Sequence, residues 1–122
     1  MRQFSAVIWK VKPGFDEELA DLFENSKRPD SAVILDEAGS EVGKLLSTAV
    51  FLKDDTVVRV IQYEGELISV MRHMAGQQVV RELEDGLQKY LVEPRETDSP
   101  QAFRDFFLRT SMRRLLQRWA DE

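Results

Sequence analysis

Apolar positions near the start of the chain do not alternate cleanly with polar ones. From Phe4 to Val11, the residues Phe4, Ala6 and Ile8 fall on one side and Val7, Trp9 and Val11 on the other. That spacing predicts a strand apolar on both faces. Lys12-Pro13-Gly14 breaks it, and Asp16 is placed to cap a helix carrying Glu17 and Glu18 in its first turn and Leu19, Leu22 and Phe23 as its apolar stripe. Pro29 disfavours helical geometry at Arg28, so the helix should stop within Asn25 to Asp30. A short strand is expected in Ser31 to Asp36 and a turn at Glu37 to Ser40.

The clearest hairpin follows. Its arms are Lys44 to Lys53 and Thr56 to Tyr63, joined by Asp54-Asp55, and Thr56, Val57, Val58, Val60 and Ile61 make the return arm strongly β-branched. Here too both faces read as apolar: Leu45, Ala49 and Phe51 oppose Leu46, Val50 and Leu52, and Val58 and Val60 oppose Val57 and Ile61. Beyond Glu64-Gly65 the period becomes helical, with Leu67, Met71 and Met74 continued by Val79, Val80, Leu83, Leu87, Tyr90 and Leu91, and a kink expected at Gly76. Pro94 and Pro100 bracket a polar loop, Glu93 to Ser99, before a helix opened by Ser99-Pro100 and bearing Phe103, Phe106 and Phe107. Met112 to Trp119 returns to extended character and predicts a final strand, with a continued helix as the competing reading.

Strand, helix, hairpin, helix, strand is a split βαβ order, so the predicted fold is α+β: a ferredoxin-like antiparallel sheet with helices on one face. The other face would be bare. With Val7, Trp9, Val57 and Ile61 exposed on it, a monomer would carry a large apolar patch, which predicts a twofold homodimer packed sheet against sheet. A small-molecule pocket is then expected between each sheet and its own helices.

Composition adds boundaries. The 122 residues suit one domain over 1–122, and 43% hydrophobic with 32% charged residues describes an ordinary globule. There is no Cys and His73 is the single histidine, which removes thiolate chemistry and any His-pair metal motif. No metal or cofactor is expected, because no glycine-rich phosphate cradle or other docking fingerprint occurs. The start of the sequence has no apolar leader and no run is long enough to span a membrane, so a cytoplasmic protein without membrane contact is the expectation. A net charge of −5 argues against nucleic acid. Locally, Arg104, Arg109, Arg113, Arg114 and Arg118 crowd the C-terminal segment. They form a solvated face, a set of intersubunit ion pairs or an anion site.

His73 is the one side chain whose ordinary pKa lies near neutrality, which makes it the candidate for proton transfer; a structural histidine at the border of a helix stripe is the alternative. Arg59 lies mid-strand among Val57, Ile61 and Tyr63 and needs a carboxylate or a ligand if it is buried. In the second case it would stabilise an enolate, with Trp9, Gln62 or Tyr63 shaping the cavity. The three phenylalanines and Tyr90 read more readily as core than as an aromatic cage.

Several runs carry a resemblance: Val42-Gly43-Lys44-Leu45-Leu46, Thr48-Ala49-Val50-Phe51-Leu52, Thr56 to Gly65, Arg72-His73-Met74-Ala75 with Gln77, Val80-Arg81-Glu82 with Glu84, and Phe103-Arg104 with Phe106-Phe107. Over nearly its whole length the chain resembles the SchA/CurD-like proteins of aromatic polyketide gene clusters, departing from their pattern at Gln78 and Lys89. The resemblance implies a dimeric α/β-barrel relationship, no cofactor, and a polyketide intermediate as ligand, with an acyl carrier protein or synthase as a further partner. It does not settle the reaction; the first expectation is a cyclase or aromatase that uses His73 and Arg59 and binds substrate through Trp9, Gln62, Tyr63, Arg72 and Gln77. A cofactor-independent monooxygenase forming a quinone, or a non-catalytic polyketide-binding scaffold, would use the same residue types.

Overall fold

The computed structural model describes residues 2–28, 31–93 and 99–121. The elements run β1 (Arg2–Lys10), α1 (Asp16–Glu24), β2 (Val33–Leu35), β3 (Glu41–Lys53), β4 (Thr56–Gly65), α2 (Leu67–Ala75), α3 (Gln78–Leu87), a 3₁₀ turn (Gln88–Tyr90) and α4 (Pro100–Thr110). The strands form one antiparallel sheet in the order β1-β4-β3-β2. This is the α+β ferredoxin-like arrangement expected from the element order.

The hairpin closes through Asp54, which has a φ of 55°. Such a conformation is tolerated by Asp better than by most residues. At the opposite end of β4, Gly65 pairs with Gly43 across the ladder and has a φ of 98°. Ser99 caps α4 by accepting the Ala102 amide at 3.1 Å, with Pro100 in the first turn as the sequence indicated. Asp16 does not cap α1: Phe15 holds the cap position, and Asp16, Glu17 and Glu18 act instead on the positive helix end. The kink expected at Gly76 is a full break, with Gly76 and Gln77 separating α2 from α3. Of the expected polar loop, Pro94 to Asp98 lies outside the described residues.

The helices cover the face bearing Val7, Trp9, Val57, Ile61 and Tyr63, all buried. That corrects the expectation of which face is bare. Val7, Trp9, Val57 and Ile61 lie under the helices, while Phe4, Ile8, Leu46 and Phe51 are exposed, Phe51 to 61%. Val58 and Val60 share this open face with Ala49 and Ala6 by cross-strand pairing. A bulge between Leu45 and Ser47 explains a second difference. It shifts the alternation by one residue, so Leu45 packs on the core side with Val50 and Leu52 instead of facing away from them.

The last segment is extended, yet it is neither a regular strand nor a helix. It runs beside β1, with a bridge between Ser111 and Val7 and a bond from the Met112 amide to the Ala6 carbonyl at 2.8 Å. The Gln117 side chain then replaces the backbone: its Oε1 accepts the Phe4 amide at 2.9 Å, and its Nε2 donates to the Arg2 carbonyl at 3.5 Å. Trp119 stacks on Phe4 with ring centroids 4.9 Å apart, and the Arg2 guanidinium lies over the indole at 3.9 Å. Leu115 is left 83% exposed. Among the described residues no helix is long and apolar enough to cross a membrane.

Candidate functional site

Trp9 and Arg59 come together on the helix side of the sheet. Arg59 pairs with Val7 on β1 and Val50 on β3, while Trp9 pairs with Val57. Trp9 and Arg59 are therefore diagonal neighbours, roughly 7–8 Å apart. The Arg59 Nε donates to the Thr48 hydroxyl at 3.4 Å, and the residue is half-buried. Tyr63 lies on the same face and is buried.

Burial raises the Tyr63 phenol above the usual tyrosine pKa, and the Arg114 guanidinium of the C-terminal segment acts in the opposite sense. The folded state thus holds the proton longer than the unfolded chain does. Stability from this group is fully present below the ordinary tyrosine pKa and falls as pH rises through the raised one. Spectrophotometric titration should show a phenol ionising later than a free tyrosine, and Tyr63→Phe should remove that component.

The other expected site residues lie elsewhere. Gln62 is on the open face, where its Oε1 accepts the Ser47 hydroxyl at 2.9 Å. His73 sits at the edge of α2 toward β2, its Nε2 2.7 Å from the Ser31 carbonyl oxygen. With Nε2 protonated, the ring donates to that oxygen. β2 is two strands from β4, about 10 Å across the sheet, so the fold does not set His73 beside Arg59. Arg72 is exposed at the seam of α2 and α4, and Gln77 precedes α3.

A groove of about 340 Å³ opens beside Trp9, between the outer edge of β1 and α4. Trp9, Ile8, Leu91 and Phe106 give it apolar walls, and Arg109, Lys10 and Glu93 give it charge. Lys10 is already engaged, its ammonium donating to the Thr56 hydroxyl at 2.6 Å and to Asp55 at 3.3 Å. The Asp55 carboxyl is held below its usual range by the Thr56 hydroxyl first and by Lys10 next. Arg109 and Glu93 are exposed and point chemistry at the groove that Lys10 does not supply. Sequence reasoning placed Phe106 in the core and Arg109 in a diffuse basic strip, and gave Glu93 no role. The signal for Phe106 and Arg109 was their three-residue spacing, one helical turn on one face of α4. No group of three or more histidine or acidic side chains among the described residues is gathered to hold a metal.

The SchA/CurD like domain model matches residues 2–119. The chain belongs to this family. Its relatives include the "42.8 kDa protein in whiE locus" of Streptomyces coelicolor, 36% identical over 88% of the chain and 25% of that protein. "Polyketide synthase CurD" of Streptomyces cyaneus and "Protein SchA" of Streptomyces halstedii are each 30% identical over 88% of the chain, covering 28% and 27% of those proteins. This SchA/CurD-like chain thus spans about a quarter of the length of the curated relatives it matches. No solved structure matches it.

Proposed function

We propose that this SchA/CurD-like domain serves polyketide biosynthesis as a cyclase or aromatase, holding a poly-β-ketone or polycyclic intermediate in the groove beside Trp9. The observation that carries the reading is the meeting, in one groove, of aromatic walls with a guanidinium and a carboxylate. Family membership and a relative named as a polyketide synthase support the substrate class. Glu93 would accept a proton from an acidic methylene, and the resulting enolate carbon would attack a carbonyl of the same chain. Arg109 stabilises the enolate oxygen, with Arg59 a second cation behind Trp9. Protonation of the new alkoxide and loss of one water complete the ring. Much of the selectivity comes from shape, since walls that admit one folded conformer select one closure.

The test is incubation with an early aromatic polyketide intermediate, with and without oxygen, followed by mass analysis. Loss of water independent of oxygen is expected. Gain of one oxygen with loss of two hydrogens would replace this reading with a cofactor-independent monooxygenase. His73→Ala belongs in the same assay: a tenfold loss there, with Glu93→Gln unaffected, would move the site to the β2 edge.

One observation favours a second reading, a binding scaffold without catalysis: His73 lies toward β2 and is not among the described residues that line the groove beside Trp9. Product formation that survives a Glu93→Gln Arg109→Ala change, together with lost ligand binding, would support it.

The open sheet face, with Phe51, Ile8, Leu46 and the Phe4–Trp119 stack, supports a homodimer packed through that face. Sedimentation should give a dimer at micromolar concentration, and Phe51→Lys should yield a folded monomer. A wild-type monomer would sink the proposal.

A further inference from the structure

A second concavity, of about 220 Å³, lies in the seam where α2 and α4 pack together, away from Trp9. Ile68 and Met71 of α2 give it an apolar wall, and Arg72 and Arg104 line it from the two helices, with Pro100 and Gln101 on the rim. Both arginines are exposed, and neither has an ion pair or hydrogen bond to any described residue. The nearby Asp105 carboxylate is engaged instead by the Gln101 amide at 2.9 Å.

The chain has a net charge of −5, and its Arg2, Lys10 and Lys44 find carboxylates, whereas Arg72 and Arg104 line one concavity with no carboxylate among its lining residues. Two like charges facing one concavity repel each other, and an anion held between them relieves that repulsion. Guanidinium groups are planar donor forks that match the oxygens of a phosphoryl group, and two of them suit one anion carrying several oxygens. The hydrophobic wall of Ile68 and Met71 would accommodate an uncharged tail attached to it.

We propose that the α2–α4 groove binds the phosphoryl group of an organic phosphate, with Arg72 and Arg104 as its clamp. The site shares α4 with the Trp9 groove but uses other residues of that helix, Pro100, Gln101 and Arg104 in place of Phe106, Arg109 and Thr110, and it does not rest on the cyclase reading. The phosphoryl group has two sources of one chemistry: a free organic phosphate, or the phosphopantetheine arm borne by an acidic carrier protein.

The experiment is a calorimetric titration at low salt with 4′-phosphopantetheine, with pantetheine and with inorganic phosphate. Phosphopantetheine should bind at least tenfold tighter than either of the others, and its affinity should fall as salt is raised. Arg72→Gln, Arg104→Gln and the double change should each weaken it, the double change at least tenfold, without moving the melting temperature, since both side chains are exposed. Equal binding of pantetheine, or full affinity in the double variant, overturns the site. Inorganic phosphate binding as tightly as phosphopantetheine overturns the organic tail. Comparing carrier protein with and without its arm assigns the source: a gain from the arm that is lost in the double variant identifies the protein-borne group, and no gain leaves the free phosphate.

Discussion

Arg109→Ala should lower the rate of ring closure by about 10²–10³-fold, the usual loss when one donor to a developing oxyanion is removed. The folded state should survive. Arg109 is exposed near the end of α4, with no bond to a described residue, so truncation removes charge from the groove without opening the core. Arg109→Lys separates two roles. A lysine keeps the charge but loses the planar fork, and partial recovery would indicate that charge matters more than geometry. Single-turnover kinetics beside a thermal melt gives the needed comparison. A variant with unchanged rate would remove Arg109 from the mechanism, and one that loses stability as well would recast it as structural.

Gly65→Ala should cost about 2–5 kcal/mol of stability. A positive φ disfavours a side chain by about 1–2 kcal/mol, and overpacking adds about 1–3 kcal/mol. The collision has a definite source: a Cβ at Gly65 would run into the Val42 carbonyl oxygen, and one at Gly43 into the carbonyl of Glu64. The two glycines pair with each other, so the strands approach where neither carries a side chain. Backbone must move to accept the methyl group, which no rotamer change can achieve. Denaturant unfolding of Gly65→Ala and Gly43→Ala measures this, with Gly39→Ala as a contrast: its φ is also positive, but a Cβ there meets nothing within 4 Å. Equal losses at Gly39 and Gly65 would show that φ alone sets the cost.

The element order was legible because local chemistry announced it: Pro13-Gly14 after β1, the β-branched run of β4, Ser99-Pro100 before α4. Which sheet face the helices cover was not. Phe4 and Ile8 are as apolar as Val7 and Trp9, and periodicity ranks neither side; the choice is made by α2, α3 and α4 packing over β1 and β4. The Leu45 side was hidden for a different reason, since a bulge inserts one residue and reverses an alternation that the sequence carries unbroken. The C-terminal segment deceived both readings offered for it, because Gln117 bonds β1 through its side chain, which no backbone periodicity records. Of the expected site, Arg59, Trp9 and Tyr63 share a face because they follow strand register. His73 was singled out by its chemical type, and type does not say where a helix edge comes to lie; Gln62, next to Ile61 in the strand, points to the opposite face.

The use of Gln117 has a consequence for association. A free sheet edge invites another strand to add to it, and repeated addition makes filaments. Here the outer edge of β1 is occupied by a carboxamide that accepts the Phe4 amide and donates to the Arg2 carbonyl, with Met112 holding the Ala6 carbonyl further along. The opposite edge is β2, three residues long. Among the described residues β2 and the chain before it cover β3 only as far as Leu45, while β3 runs on to Lys53, so it is the β1 margin that resists growth sideways. The homodimer proposed above would leave that margin alone and close through the flat of the sheet, two stacked faces ending the assembly at a pair.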